Sequence, residues 1–550
     1  MSKSTGFALA LLALAALTAC PKAPPAPPPR PLTPEERLHK DVADLEARTR
    51  ALLREQDEAL WRSWTEGAPL DFGKTADTAK ALYTPEAIKR IAALRATTTD
   101  PLDALALDEL RLHFVSEYLA RSTAAQRTAL SHLEAATTFR VGDTEHPLRD
   151  LERLLARERN ALNRRAAWSS AMTALTRLDV AYAERDLRTR EVLEPFGYKS
   201  TLQFTTALRR IDDEALAKDA ERLLSVTERP FRDVLQQLSA HELRLPLEEV
   251  RMRDLPRMFR SRDVDELFPK DQLLPRADAT LEGLGIPRST LPQLTVDATD
   301  SPKKNPLPFA LALDVPHDVR LSLRPLPGLR AQSAYLHELG HALHAALTTE
   351  PRYPLAKLGM GAVAEAWSQL FELLVEDPVW LGRQTGLGGA RLDRYLAASA
   401  AWDLYLLRRA AGRFLYSREV LAHPGADKKA AYRAAMTRAL LVPIDDEDLA
   451  RAALEEDPFL DSALQLEATF LSNQLLAQLK ARFGPSWWED KGAGDYLRGL
   501  WAHGNALDAR ELARAAGDDR LSPDALVLRL TSTLKVPIAV PASPDDADEE

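Results

Sequence analysis

From Thr33 to about residue 250 the apolar positions recur at helical spacing, with little strand character. Leu38, Val42, Leu45 and Leu52 form the first stripe. It begins behind Thr33-Pro34-Glu35-Glu36, where Thr33 can cap, Pro34 suits the first helical position and Glu36 can close a capping box. A similar start recurs at Thr84-Pro85-Glu86. The stretch is rich in Ala, Leu, Arg and Glu and has no fixed-period repeat, which argues against a solenoid. Over 285–308 the periodicity is lost among several prolines, which predicts a loop. Alternation follows. Phe309, Leu311, Leu313 and Val315 alternate with Ala310, Ala312 and Asp314, and Val319, Leu321 and Leu323 alternate again. This predicts a β-hairpin with a short turn at 316–318. Helical patterning returns near residue 331 and continues past 480. The expected fold is mainly α, with a small sheet inside it. The expected regions are an N-terminal helical one over 35–255 and a second over 256–530.

The two ends do not fit this pattern. Lys3, the apolar run Phe7 to Leu17 and the ending Leu17-Thr18-Ala19-Cys20 predict a secretory signal over 1–19, too short to span a membrane. The ending resembles a bacterial lipobox, which implies a lipid on Cys20 and a place in the bacterial cell envelope, at the periplasmic face of the outer membrane or the cell surface. Residues 20–34 then serve as anchor and linker. The segment PKAPPAPPPRPL predicts an extended polyproline spacer. At the other end, 531–550 closes on PASPDDADEE, which predicts an acidic disordered tail.

Composition narrows the class. A hydrophobic share of 45% and a charged share of 28% are ordinary for a soluble globular body. The net charge of -9 argues against a nucleic-acid partner, because phosphate binding needs a basic surface. Cys20 is the only cysteine of the 550 residues, so intramolecular disulfides are impossible, and an acylated Cys20 leaves no cysteine nucleophile.

The candidate chemistry lies in His337-Glu338-Leu339-Gly340-His341-Ala342-Leu343-His344. On a helix, His337 and His341 lie one turn apart on one face, so both imidazoles can reach one ion. Glu338 projects beside them, where it can polarise a water and take its proton. A catalytic zinc needs a third ligand and an open fourth position.

HELGHALH resembles the zinc helix of the thimet oligopeptidase and oligoendopeptidase F family. In that family a second helix donates a glutamate within a pattern like Glu-Ala-x-Ser-Gln-x-x-Glu. The corresponding run here is Glu365-Ala366-Trp367-Ser368-Gln369-Leu370-Phe371-Glu372, and Glu365 lies 28 residues after His337. The resemblance implies one zinc ion per chain on His337, His341 and Glu365, with Glu338 as catalytic base. Gln369 and Glu372 follow Glu365 by four and seven residues, so they share its helix face and can orient the ligands. The resemblance further implies two helical lobes around a deep channel that admits short peptides. The predicted hairpin just before the zinc helix offers a strand with which an extended peptide can pair.

The likeness covers 331–376 strongly and 301–530 weakly. The family carries a histidine and tyrosines in a C-terminal cleft segment, and the matching positions here are Asp461, Leu466, Phe470 and Asn473. Loss of one oxyanion donor costs ~10²–10³ in turnover. Tyr405, Tyr416, His423 and His503 are possible replacements that are not assigned a catalytic role. The expected function is zinc-dependent hydrolysis of short peptides by a lipid-anchored envelope metallopeptidase. The alternative is a non-catalytic zinc-binding envelope lipoprotein that binds peptides or a protein partner.

Overall fold

The Thr33 hydroxyl accepts the Glu36 N–H at 3.2 Å, and the Glu36 carboxylate accepts the Thr33 N–H at 2.9 Å. The capping box read from the sequence therefore starts the N-terminal helix Pro34–Glu66, which Gly67 ends at φ 70°. Val42, Leu45 and Leu52 of the predicted stripe are buried. At the second start, Thr84 caps helix Pro85–Thr97 by accepting the Ala87 N–H. The computed structural model describes residues 32–259, 264–359 and 361–534. The signal peptide, Cys20, the proline-rich spacer up to Pro31 and the acidic end of the tail lie outside the described residues.

The fold is mainly α, as expected: the described residues form twenty-three α-helices and only two small sheets. No helix among them is long and apolar enough to cross a membrane. The last helix, Asp524–Thr533, carries ordered structure slightly beyond residue 530.

The first sheet is a hairpin that the helical pattern hid. Strand β1 (Thr138–Val141) pairs antiparallel with β2 (Thr144–Pro147). Each strand is four residues long, too short for an alternation to stand out. The second sheet adjoins the candidate site. Its strands are β3 (Leu294–Asp297), β4 (Phe309–Asp314) and β5 (Asp318–Ser322), in the spatial order β3-β5-β4. The β4–β5 hairpin is the predicted one, with Phe309 opposite Ser322 and Ala312 opposite Val319. Strand β3 corrects the reading of 285–308 as loop throughout. Leu294–Asp297 pairs parallel with β5, a non-local pairing for which four residues after Pro292 leave no periodic trace.

The larger apolar core draws on both sides of residue 255: it runs from Leu130 through Trp168 and Leu235 to the helices around residues 335–375 and on to Leu530. A second core gathers the first four helices, with Tyr353 and Leu358 inserted from the segment after the candidate metal-binding helix. The N-terminal helix also runs along β4. Trp61 and Trp64 meet Phe309 edge-on, at 5.5 and 4.8 Å between ring centroids. At the other end of the strand Arg50 and Arg54 bind Asp314.

Candidate metal centre

Helix Leu329–Leu347 carries His337, Glu338 and His341. Tyr335, Leu336, Leu339, Ala342 and Leu343 are fully buried, so packing fixes the rotation of this helix and the direction of its histidines. His337 and His341 stand at the edge of that packed face, about a quarter exposed, with ring centroids 5.0 Å apart. Helix Val363–Glu372 crosses against them and supplies Glu365. Its Oε2 lies 3.7 Å from His337 Nε2 and its Oε1 3.6 Å from His341 Nε2. One atom from each residue lies within 4.8 Å of the other two, so the three could hold a metal ion. Two ligands of a tetrahedral ion bound at ~2.0–2.1 Å stand about 3.4 Å apart, and the separations of Glu365 from the two histidines are close to that spacing.

Gly340 permits the crossing. A Cβ at this position would lie 2.5 Å from the Trp367 carbonyl oxygen and 2.6 Å from the Ser368 Cα. The backbone of the second helix therefore rests on the bare Cα of Gly340, one residue before His341.

A second set of contacts orients the first histidine. His337 Nδ1 donates to Glu372 Oε2 at 3.0 Å, and the Ser333 hydroxyl donates to Glu372 Oε1 at 2.6 Å. Occupying Nδ1 turns Nε2 towards Glu365, the usual arrangement around a metal-binding histidine. Glu372 thus does what its spacing predicts. Gln369 does not: its Oε1 accepts from Ser472 at 3.4 Å, on helix Asp461–Phe483. Ser333 is not marked by either sequence pattern, although it sits one turn before His337 on the same face.

Burial alone would lower the pKa of His337, but the hydrogen bond and charge of Glu372, with Glu365 and Glu338, raise it above the ordinary histidine value. Burial pushes His341 down to about 3, helped by His337 and His344. Glu338 is raised by burial, against the pull of His337 and the Ala310 N–H. That N–H donates to Glu338 Oε2 at 2.8 Å and holds the carboxylate against β4. A carboxyl raised by burial and held in place by a backbone N–H suits a group that must both take and return a proton. His344, the third histidine of the segment, faces away from the cluster. It is buried, its Nε2 bonds the Gly504 carbonyl at 3.1 Å, and burial lowers it to about 4, so it is a neutral packing residue.

The C-terminal positions tell a different story. Asp461 opens helix Asp461–Phe483 and pairs with Arg209 at 2.5 Å. Leu466 and Phe470 are fully buried. Asn473 donates to the Thr469 carbonyl and accepts from Arg529 Nε at 2.7 Å. Tyr416 spends its hydroxyl on the Ala452 carbonyl, Tyr405 stacks on Phe259, and His423 bonds the Glu419 carbonyl. Among the described residues, no hydrogen bond or ion pair joins any of these, or His503, to His337, His341 or Glu365.

No protein-family model matches the chain, and a search of curated proteins finds no match.

Proposed function

We propose that the protein is a zinc metallopeptidase that hydrolyses short peptides, similar in its chemistry to the thimet oligopeptidase and oligoendopeptidase F family. The observation that carries this reading is the convergence of His337 Nε2, His341 Nε2 and the Glu365 carboxylate beside Glu338. Two imidazoles and one carboxylate with an open position suit zinc among the divalent metals. When bound, zinc would lower the pKa of a water molecule and polarise the scissile carbonyl. Glu338 takes the proton of the attacking water and returns it to the leaving amide nitrogen. Glu372 keeps His337 in the tautomer that presents Nε2. A peptide lying along β4, the edge of its sheet, would be held extended by backbone hydrogen bonds. The proposal includes the channel that admits short peptides and excludes folded proteins. It also includes an envelope location through a lipid on Cys20, which intact mass of the mature N-terminus tests.

The second reading is a zinc-binding envelope lipoprotein that binds peptides without cleaving them. The observation favouring it is the absence of a hydroxyl or imidazole at Asp461, Leu466, Phe470 and Asn473. Turnover of a quenched-fluorescent peptide library separates the two, run beside Glu338→Gln and a chelated sample, with zinc content measured in each. Cleavage abolished in both controls, with zinc retained by Glu338→Gln, supports the peptidase. Stoichiometric zinc without cleavage of any peptide refutes it and leaves the binding protein.

A further inference from the structure

We propose that Lys357 is a stop that confines productive peptides to two residues on the amino side of the cleaved bond. The inference rests on the peptidase reading and adds a substrate class to it: unblocked peptides that lose an amino-terminal dipeptide.

The backbone of β4 sets the geometry. Within a strand, the N–H and C=O of one residue point to the same side, and alternate residues share that side. The Ala310 N–H donates to Glu338 and the Ala312 C=O accepts from Lys357, both off the ladder with β5. Ala310 and Ala312 therefore present their backbone groups to the open edge, while Phe309 and Leu311 bond β5.

A peptide pairing antiparallel, the more stable mode per residue, makes its first contact at Ala310. The residue opposite donates its N–H to the Ala310 carbonyl. Its own carbonyl then falls where the Ala310 N–H points, and that N–H is already bound to Glu338. This carbonyl is the one placed beside the catalytic carboxylate, so its residue precedes the cleaved bond. Two residues towards the amino end, the next edge-facing N–H requires the Ala312 carbonyl. Lys357 Nζ holds that oxygen at 2.6 Å and is itself held by Asp57 at 2.9 Å, on the N-terminal helix. Beyond it, Arg50 and Arg54 of the same helix grip Asp314. The edge is closed from Ala312 onward. A third residue before the cleaved bond finds its acceptor taken and an ammonium in its path.

The test is a nested set of peptides with one cleavable bond, a constant carboxyl side, and one to four residues before the bond. Cleavage by the zinc-loaded protein is mapped by mass spectrometry. Affinity for the same peptides is measured with Glu338→Gln as the background. Expected is a maximum at two residues in the unaltered protein. Lys357→Met frees the Ala312 carbonyl, so the third residue should then improve kcat/KM and affinity by about fivefold, the worth of one added hydrogen bond. Asp57→Asn keeps an oxygen for Lys357 and should keep the original length profile. The proposal is overturned if Lys357→Met leaves the profile unchanged, or if the limit falls on the carboxyl side of the bond. Absent cleavage together with the same length dependence of binding would overturn the peptidase reading and leave the role of Lys357 supported.

Discussion

Replacing Gly340 by alanine tests whether a single missing methyl group holds the candidate metal site together. The added Cβ would meet the Trp367 carbonyl oxygen at 2.5 Å, the Ser368 Cα at 2.6 Å and the Ser368 nitrogen at 2.9 Å. All three are backbone atoms, so no side chain can rotate to make room. Restoring ordinary contact requires the two helices to separate by on the order of 1 Å, at an overpacking cost of about 1–3 kcal/mol. The separation acts directly on Glu365, which lies one turn from the point of contact and must reach both histidines. Metal–ligand distances tolerate only about 0.2 Å, so zinc affinity should fall at least tenfold. Competition against a chromogenic chelator measures the affinity, and urea melts of the metal-free protein measure the packing cost. Gly499→Ala is the control. Gly499 lies in helix Lys491–Trp501, and an added methyl there would have no atom within 4 Å, so alanine should stabilise by about 0.4–1 kcal/mol. If Gly340→Ala keeps both the stability and the zinc affinity of the parent protein, the close helix crossing is not what assembles the site.

Other perturbations follow from the same contacts. Glu372→Ala removes the acceptor that orients His337 and should weaken zinc binding by about 10–100-fold, whereas Gln369→Ala, which touches Ser472 instead, should leave it nearly unchanged; isothermal titration distinguishes them. Burial raises Glu467 to about 8, so the folded state holds a proton that the unfolded chain releases near pH 4.5. Its contribution to stability is complete below pH 4.5 and is lost as pH rises towards 8, at a limiting rate of about 1.4 kcal/mol per pH unit. Glu467→Gln should therefore gain stability relative to the parent between pH 5 and pH 8 in urea melts, and a constant difference would refute the assignment. The buried pair Arg164–Asp254, at 2.9 Å, leaves an uncompensated carboxylate if Arg164→Met is made, which should cost about 3–5 kcal/mol in denaturant unfolding.

Much of this protein is legible in one dimension because the relevant physics is local. Caps at Thr33 and Thr84, the stripe Val42, Leu45 and Leu52, and the alternation that makes β4 and β5 all depend on neighbours a few residues apart. The same holds for His337, Glu338 and His341, because helix geometry alone puts them on one side. Glu365 needed the resemblance, since the crossing that brings it to the histidines depends on distant packing. The short strands β1, β2 and β3 left too little period to read, and β3 exists only because β5 lies beside it. Tertiary structure alone decided that Ser333 braces Glu372 and that Gln369 turns to another helix. It also decided that the Ala310 amide holds the Glu338 carboxylate and that Lys357 binds the Ala312 carbonyl. These are hydrogen bonds between segments brought together by burial of a shared core, and spacing along a chain carries no record of which distant backbone oxygen a side chain will meet.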